Sequence, residues 1–189
     1  MTKEELLYTI KSGMTKEKVV VLSALANRVN FPLNELINLA FEEKKEVAFR
    51  LAWILEHIFV EEPEKLNPHF AYFIERFPGQ KNPSVMRHFA KIIALATSPK
   101  AKMKTKESLA AIDLEPLVET LFSWLIDERV PVAVKVHCMQ ALANLTVRYD
   151  WIKEELLETV KHLKETESYA FFARTKQIEK DLNKTRHAK

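Results

Sequence analysis

The stretch D-E-R-V-P-V-A-V-K-V-H-C-M-Q-A-L-A-N-L at residues 127–145 decides the fold of this chain. Asp127 is followed four positions later by Pro131, and small or aliphatic side chains then recur at steps of three and four through Cys138 and Leu142. This is the spacing of an amphipathic helix that packs against two neighbours. Other stretches of the sequence repeat the pattern more weakly, which predicts a chain built from one helical unit used several times.

The composition favours an all-α protein. The 189 residues are 47% hydrophobic and 29% charged, as in a folded domain or a short repeat array. Only Gly13 and Gly79 are glycines, which excludes glycine-rich phosphate loops and argues against a turn-rich β protein. Leucine, alanine, glutamate and lysine are abundant, and these residues favour helices.

Cysteine usage and hydropathy indicate the compartment. Cys138 is the sole cysteine, so an intrachain disulfide cannot form. The first residues are charged too early for a secretory signal, and no apolar run approaches the ~18 residues that span a bilayer. We therefore expect a cytoplasmic protein that does not enter a membrane.

Start and stop signals divide the chain into helix pairs. Thr2 and Glu5 form a capping box, Thr15 opens a second helix, and Asn67 and Asn82 each precede a proline at a first helical position. We predict a single domain of five antiparallel pairs, at about residues 2–29, 32–59, 66–97, 114–147 and 150–184.

Residues 98–113 depart from this rhythm because they are polar and cationic. Four lysines alternate with other residues there, namely Lys100, Lys102, Lys104 and Lys106. We predict an exposed insertion with at most a partial turn at residues 108–112.

Aligning the second helix of each pair gives an internal check. One cation occupies the same position in all five, at steps of 32, 37, 48 and 39 residues, and the largest step contains the lysine insertion. The aligned cations are Lys18, Arg50, Arg87, Lys135 and Arg174. A period near forty that consists of two helices is typical of stacked helical hairpins.

The fourth pair carries a recognisable pattern: L-I-D at 125–127, Pro131, V-K at 134–135 and A-L at 141–142, with weaker copies at 47–55 and 85–94. This pattern resembles HEAT repeats. The resemblance implies an α-α superhelix of about five antiparallel pairs, in which the second helices line the concave surface.

A narrower resemblance rests on W-I-L-E at 53–56, F-S-W-L at 122–125, D-W-I at 150–152 and A-x-x-A-R at 170–174. These segments resemble a group of short all-helical bacterial proteins that often carry the label adenylosuccinate lyase by annotation transfer. Lyases of that superfamily are much longer and use a Gly-Ser-Ser-x-Met-Pro-x-Lys-x-Asn-Pro-like loop. The nearest segment here, S-P-K-A-K-M-K at 98–104, has these residue types in a different order. We therefore predict no lyase activity and no catalytic residues.

Charge is segregated between the two helix sets. The second helices sum to +7 and the first helices to −8, although the whole chain is only +3. By the resemblance, the concave wall is basic and the outer wall acidic, and a basic concave wall concentrates anionic partners. The alternative is that these bases pair with acids inside the molecule.

Two functions follow as hypotheses. The first is a non-catalytic scaffold whose concave groove receives an acidic protein segment or another anion. The groove residues would be Lys18, Arg50, Arg87, Lys91, Lys135, Arg174 and Lys176. The second is nucleic-acid binding in a cradle like that of helical-repeat DNA glycosylases. Those enzymes need a catalytic carboxylate and cradle aromatics, and Trp53 is the only tryptophan in a second helix.

His137 and Cys138 are adjacent, but neighbouring helical residues point about 100° apart, so they do not form a nucleophilic pair. Cys138 falls on the apolar stripe and is predicted to be a buried, inert thiol. The six histidines have no metal-ligand spacing, so we expect neither a metal nor a cofactor. Large aromatics, including Trp53, Trp124 and Trp151, are predicted to fill space between helices.

Overall fold

The computed structural model describes residues 2–11, 13–29, 31–42, 44–163 and 169–184. Within these ranges the chain forms eleven α-helices and no strand, as the composition predicts. In chain order the helices are α1 (Lys3–Lys11), α2 (Lys16–Arg28), α3 (Leu33–Glu42), α4 (Lys45–Glu61), α5 (Phe70–Arg76), α6 (Pro83–Ala96), α7 (Met103–Ala110), α8 (Glu115–Ile126), α9 (Val132–Leu145), α10 (Trp151–Leu163) and α11 (Tyr169–Lys184).

The helices form two layers. In one layer α2, α4, α6, α9 and α11 pack against one another in that order. The other layer consists of α1, α3, α5, α8 and α10, with α3 against α4, α8 against α9, and α10 against both α9 and α11. Successive hairpins therefore stack in sequence order, which is how a helical-repeat protein buries a continuous core.

Three of the predicted helix starts have the expected hydrogen bonds. Thr2 and Glu5 cap each other reciprocally, with the Thr2 amide donating to Glu5 Oε2 at 2.8 Å and the Glu5 amide to Thr2 Oγ1 at 3.2 Å. Thr15 Oγ1 accepts from the Lys18 amide, and Asn82 Oδ1 accepts from the Ser84 amide. These side chains satisfy backbone donors that the first helical turn leaves unpaired.

The third pair differs from its prediction at Asn67. Its side chain caps no helix, and Asn67 Oδ1 is buried without a hydrogen-bond partner among the described residues. The first helix of this pair, α5, is short and lies between 3-10 turns at Asn67–His69 and Phe77–Gly79. The second turn contains Pro78, which removes an amide that continuation of α5 would require.

The insertion also differs from its prediction. Residues 103–110 form a two-turn helix, α7, rather than a partial turn at 108–112. This helix packs on the 3-10 turns at Pro63–Lys65 and Asn67–His69. Its buried residues are Thr105 and Leu109. Because the buried face consists of only two residues four positions apart, the sequence shows almost no apolar periodicity.

Aromatic side chains fill much of the core. Trp124 is 8% exposed and stacks on Phe77 with 4.5 Å between ring centroids. Phe73 and Phe89 are fully buried and meet edge to face at 4.7 Å. Trp151 differs from this prediction, since it is half-exposed at the start of α10.

Candidate binding groove

The first two aligned cations bind backbone carbonyls in the last turn of α1 and just beyond it. Lys18 Nζ donates to the Gly13 carbonyl at 2.9 Å, and Arg50 Nη1 donates to the Ile10 carbonyl at 2.6 Å. The last carbonyls of a helix have no partners within the helix and carry partial negative charge. Arg50 therefore stabilises the end of α1, and Lys18 holds the residue that follows the helix, so both cations already have partners within the protein.

Lys135 does not line a groove, and its predicted role there is wrong. The residue is only 1% exposed, because α9 packs against α6, α8, α10 and α11 and most of its surface is covered. The pKa of Asp127, which ends α8, is lowered to about 2 by hydrogen bonds from the Arg129 side chain and backbone, and the charge of Lys135 contributes. Because it is buried, Lys135 is not accessible to a ligand in the groove.

A polar cluster joins α4 to α6 beside the groove. Glu56 is 8% exposed and accepts hydrogen bonds from His88 Nδ1 and Lys91 Nζ, both at 2.6 Å. Burial opposes ionisation of Glu56, yet these hydrogen bonds and the positive charge of Lys91 hold its pKa below the ordinary value. Arg87 Nη2 donates to His88 Nε2 at 3.2 Å. Since a guanidinium can only donate, His88 Nε2 is the acceptor in this contact, and Nδ1 is the nitrogen that faces Glu56.

A second polar chain orients Arg174 on α11. Arg174 Nη2 donates to Gln140 Oε1 at 2.5 Å, and Gln140 Nε2 donates to Asn144 Oδ1 at 3.0 Å. Asn144 Nδ2 in turn donates to the Ala94 carbonyl, near the end of α6, at 2.9 Å. The chain links three helices and holds one nitrogen of the guanidinium, and no other side-chain partner of Arg174 lies in the part of the chain that the structure describes.

These two clusters border one groove of about 610 Å³ between α6, α9 and α11. Of the fifteen described residues that line it, three are cationic and none is acidic. Its apolar surface includes Leu95 and Val147, which are 40% and 82% exposed. The lining residues are Lys91, Ala94, Leu95, Ser98, Pro99, Lys100, His137, Gln140, Ala143, Asn144, Thr146, Val147, Arg174, Ile178 and Leu182.

The pKa of His137 depends on the charges around the groove. Its pKa is lowered to about 4, first by burial and then by Lys91, Arg87 and Arg174, while Glu56 acts in the opposite direction. Burial and nearby positive charge both disfavour a protonated imidazole. His137 is therefore neutral at pH 7 and lies in a region of positive potential.

The insertion lysines divide into different environments. Lys100 lines the groove, whereas Lys102 pairs with Glu64 at 3.3 Å. Lys106 Nζ donates to the Pro99 carbonyl at 2.7 Å and borders a neighbouring cavity of about 430 Å³. Lys104 is exposed and lines neither cavity, and Lys176 is exposed on α11 outside the groove.

Of the seven predicted groove residues, Lys91 and Arg174 line the groove and Arg87 acts on it electrostatically. The prediction missed Gln140 and Asn144. A sequence signal existed, since two amide side chains four positions apart lie on one face of a helix. Their importance depends on Arg174 and Ala94, which are distant in sequence.

Cys138 is fully buried, and burial raises the pKa of its thiol well above the ordinary range. A thiol in such surroundings stays protonated and reacts poorly. Among the described residues, no three histidine, cysteine or acidic side chains are grouped as metal ligands would be. No helix in the described ranges combines the length and apolar character needed to cross a bilayer.

Paired antiparallel helices, stacked in order with one continuous layer of second helices, define a helical-repeat scaffold. Residues 3–182 match the family model of the HEAT repeat domain, and the chain belongs to this family. No curated protein and no solved structure matches the chain. The narrower resemblance to the lyase-labelled bacterial group therefore stays a prediction.

Proposed function

We propose that this protein is a non-catalytic interaction scaffold whose groove between α6, α9 and α11 receives an acidic protein segment. The observation that carries the proposal is the lining of the groove, with three cations and no acid among its fifteen described residues. A surface of one charge sign that also exposes apolar side chains suits a partner with the complementary charge and some apolar residues.

An acidic segment that carries leucines would use both parts of this lining. Its carboxylates would pair with Lys100 and Arg174, and its apolar side chains would cover Leu95 and Val147. Arg174 supports this mode because Gln140 already fixes its orientation, which reduces the entropy lost on binding.

The test is a titration with a fluorescently labelled peptide of glutamate and leucine, read by anisotropy. The same peptide with lysine in place of glutamate is the ligand control. We expect only the acidic peptide to bind, and its affinity to fall as salt increases. Charge reversal by Lys100→Glu together with Arg174→Glu is expected to weaken binding by about tenfold or more.

The chain offers a matched control for this double variant. Lys104→Glu with Lys176→Glu makes the same charge change in the same two segments, but outside the groove. We expect this variant to bind the acidic peptide with nearly unchanged affinity. Equal losses in both variants would show that net charge alone drives binding, and the groove proposal would then be wrong.

Duplex DNA and RNA at two ionic strengths form the second arm. Nucleic-acid affinity falls steeply with salt because binding releases counterions. Nucleic acid that binds more tightly than the acidic peptide, and whose binding is weakened in the groove variant, would favour the nucleic-acid hypothesis.

An assay of adenylosuccinate cleavage tests the proposal that the protein is non-catalytic. Activity that is abolished by Ser98→Ala or Lys102→Ala would contradict it.

A further inference from the structure

The cavity of about 430 Å³ beside the groove, here called the α7 cavity, has a lining of its own. Twelve described residues line it, and they come from α7, from the end of α6 and the segment after it, from the residue before α8, and from the end of α9 and the residues that follow. Its volume lies within the range of about 300–1,000 Å³ that is typical of ligand sites.

Hydrogen bonds to backbone carbonyls hold the walls of the α7 cavity in place. Arg148 Nη1 donates to the Leu109 carbonyl at 2.9 Å, and its Nη2 donates to the Ile112 carbonyl at 2.7 Å. Lys106 Nζ donates to the Pro99 carbonyl at 2.7 Å. These bonds join α7 to the segments that follow α6 and α9, so the cavity is formed before a ligand binds.

The lining is mainly apolar and carries positive charge. Seven of the twelve residues have apolar side chains, and Leu109, Leu114 and Leu145 are buried. The charged members are Lys106 and Arg148, and no acid is found among the twelve described residues. Such a lining suits an apolar group that lies next to a negative charge.

The α7 cavity is continuous with the groove. Ser98, Pro99, Asn144 and Val147 line both of them. Val147 is 82% exposed, so it is accessible to a ligand from either side. A single peptide segment can therefore contact the groove and the cavity at the same time.

We propose that the α7 cavity binds one large apolar side chain, such as phenylalanine, that the acidic partner segment carries next to a carboxylate. The side chain would lie against Leu109, Leu114 and Leu145, and the neighbouring carboxylate would face the cations of the lining. Large apolar side chains buried in a pocket supply much of the binding energy of an interface, whereas exposed ion pairs supply little. The groove would thus select for charge and the cavity for an apolar anchor.

This inference deepens the proposed function and rests on it, so the experiment separates the two. Two acidic peptides are compared that differ only in a central phenylalanine or alanine. The phenylalanine peptide is expected to bind about tenfold more tightly, because its side chain is removed from water. Equal affinity would overturn the anchor site and leave the acidic-segment proposal standing, whereas failure of both peptides to bind would overturn both.

Two variants of neighbouring alanines test where the anchor binds. Ala110 is exposed and lines the α7 cavity, whereas Ala111 is exposed and lines neither the cavity nor the groove. Ala110→Phe fills the cavity and is expected to reduce the preference for phenylalanine to less than about threefold, with the affinity for the alanine peptide retained. Ala111→Phe is expected to keep the full preference. Equal loss of the preference in both variants would overturn the assignment.

A free aromatic carboxylate tests the other occupant that this lining admits. 3-Phenylpropionate is expected to displace the phenylalanine peptide only at about millimolar concentration, because it makes none of the groove contacts. Displacement at micromolar concentration that Ala110→Phe abolishes would assign the cavity to a small molecule and overturn the proposal.

Discussion

Replacing Glu56 tests how a buried carboxylate contributes to the stability of the stack. Glu56→Gln keeps the size of the side chain, and the amide oxygen can still accept from His88 Nδ1. The bond from His88 then loses its charge-assisted character, which costs about 1 kcal/mol. The pair with Lys91, whose side chain is 39% exposed, contributes at most about 1 kcal/mol. We expect Glu56→Gln to lower the free energy of unfolding by about 1–2 kcal/mol at pH 7.

Glu56→Ala is expected to cost more, about 3 kcal/mol, because it leaves the fully buried His88 N–H without an acceptor. Urea unfolding followed by tryptophan fluorescence and circular dichroism measures both variants. The matched control is Glu61→Gln, which changes an exposed acid at the end of the same helix and is expected to leave the unfolding free energy nearly unchanged.

The contribution of Glu56 to the free energy of unfolding depends on pH. The pKa of Glu56 is lowered in the folded state from an ordinary value of 4.5. Its ionised form therefore stabilises the fold fully above pH 4.5, and this contribution is lost as pH falls through the lower folded pKa. The difference between the wild type and Glu56→Gln is expected to shrink in that range. A variant as stable as the wild type at pH 7 would refute the reasoning, because burial of the carboxylate would then cost as much as its hydrogen bonds contribute.

Two further predictions concern His137 and α7. The pKa of His137 is lowered from 6.5 in the unfolded chain to about 4 in the folded protein. As pH decreases from 6.5 to 4, the unfolded chain binds a proton that the folded protein does not, so the free energy of unfolding falls. We expect His137→Gln to remove about 1–3 kcal/mol of that fall in urea titrations. Leu109→Ala is expected to cost about 2–3 kcal/mol and to increase amide exchange in α7, whereas Lys104→Ala on the exposed side of the same helix is expected to do neither.

Local signals made the helix order predictable from the sequence. Thr15 and Asn82 hydrogen-bond to backbone amides two or three residues away, so their role is visible in a short window of sequence. Asn67 has the same signal, but it lies within a run of 3-10 turns, and no regular helix begins at this residue. Cap motifs predict a helix start only where the following residues can form α-helical hydrogen bonds.

The environment of each aligned cation could not be predicted in the same way. A helical period assigns Lys135 to one side of α9, but it does not show that α6, α8, α10 and α11 surround that helix. Burial depends on these long-range contacts. Arg174 has the equivalent position in α11 and is exposed, because fewer of the described elements pack around it.

The charge excess of the second helices therefore has two uses in one molecule. In the first pairs, Arg50 donates to the last carbonyls of α1 and Lys18 donates to the Gly13 carbonyl just beyond it, and in the fourth pair Lys135 is buried. In the last pair, Arg174 keeps its charge among the described residues, because Gln140 orients it without neutralising it and no described acid lines the groove. A repeated residue type thus sets the potential of a repeat protein only where neighbouring repeats leave it unpaired. For this chain, that condition is why we propose a binding surface between α6, α9 and α11 rather than along the whole stack.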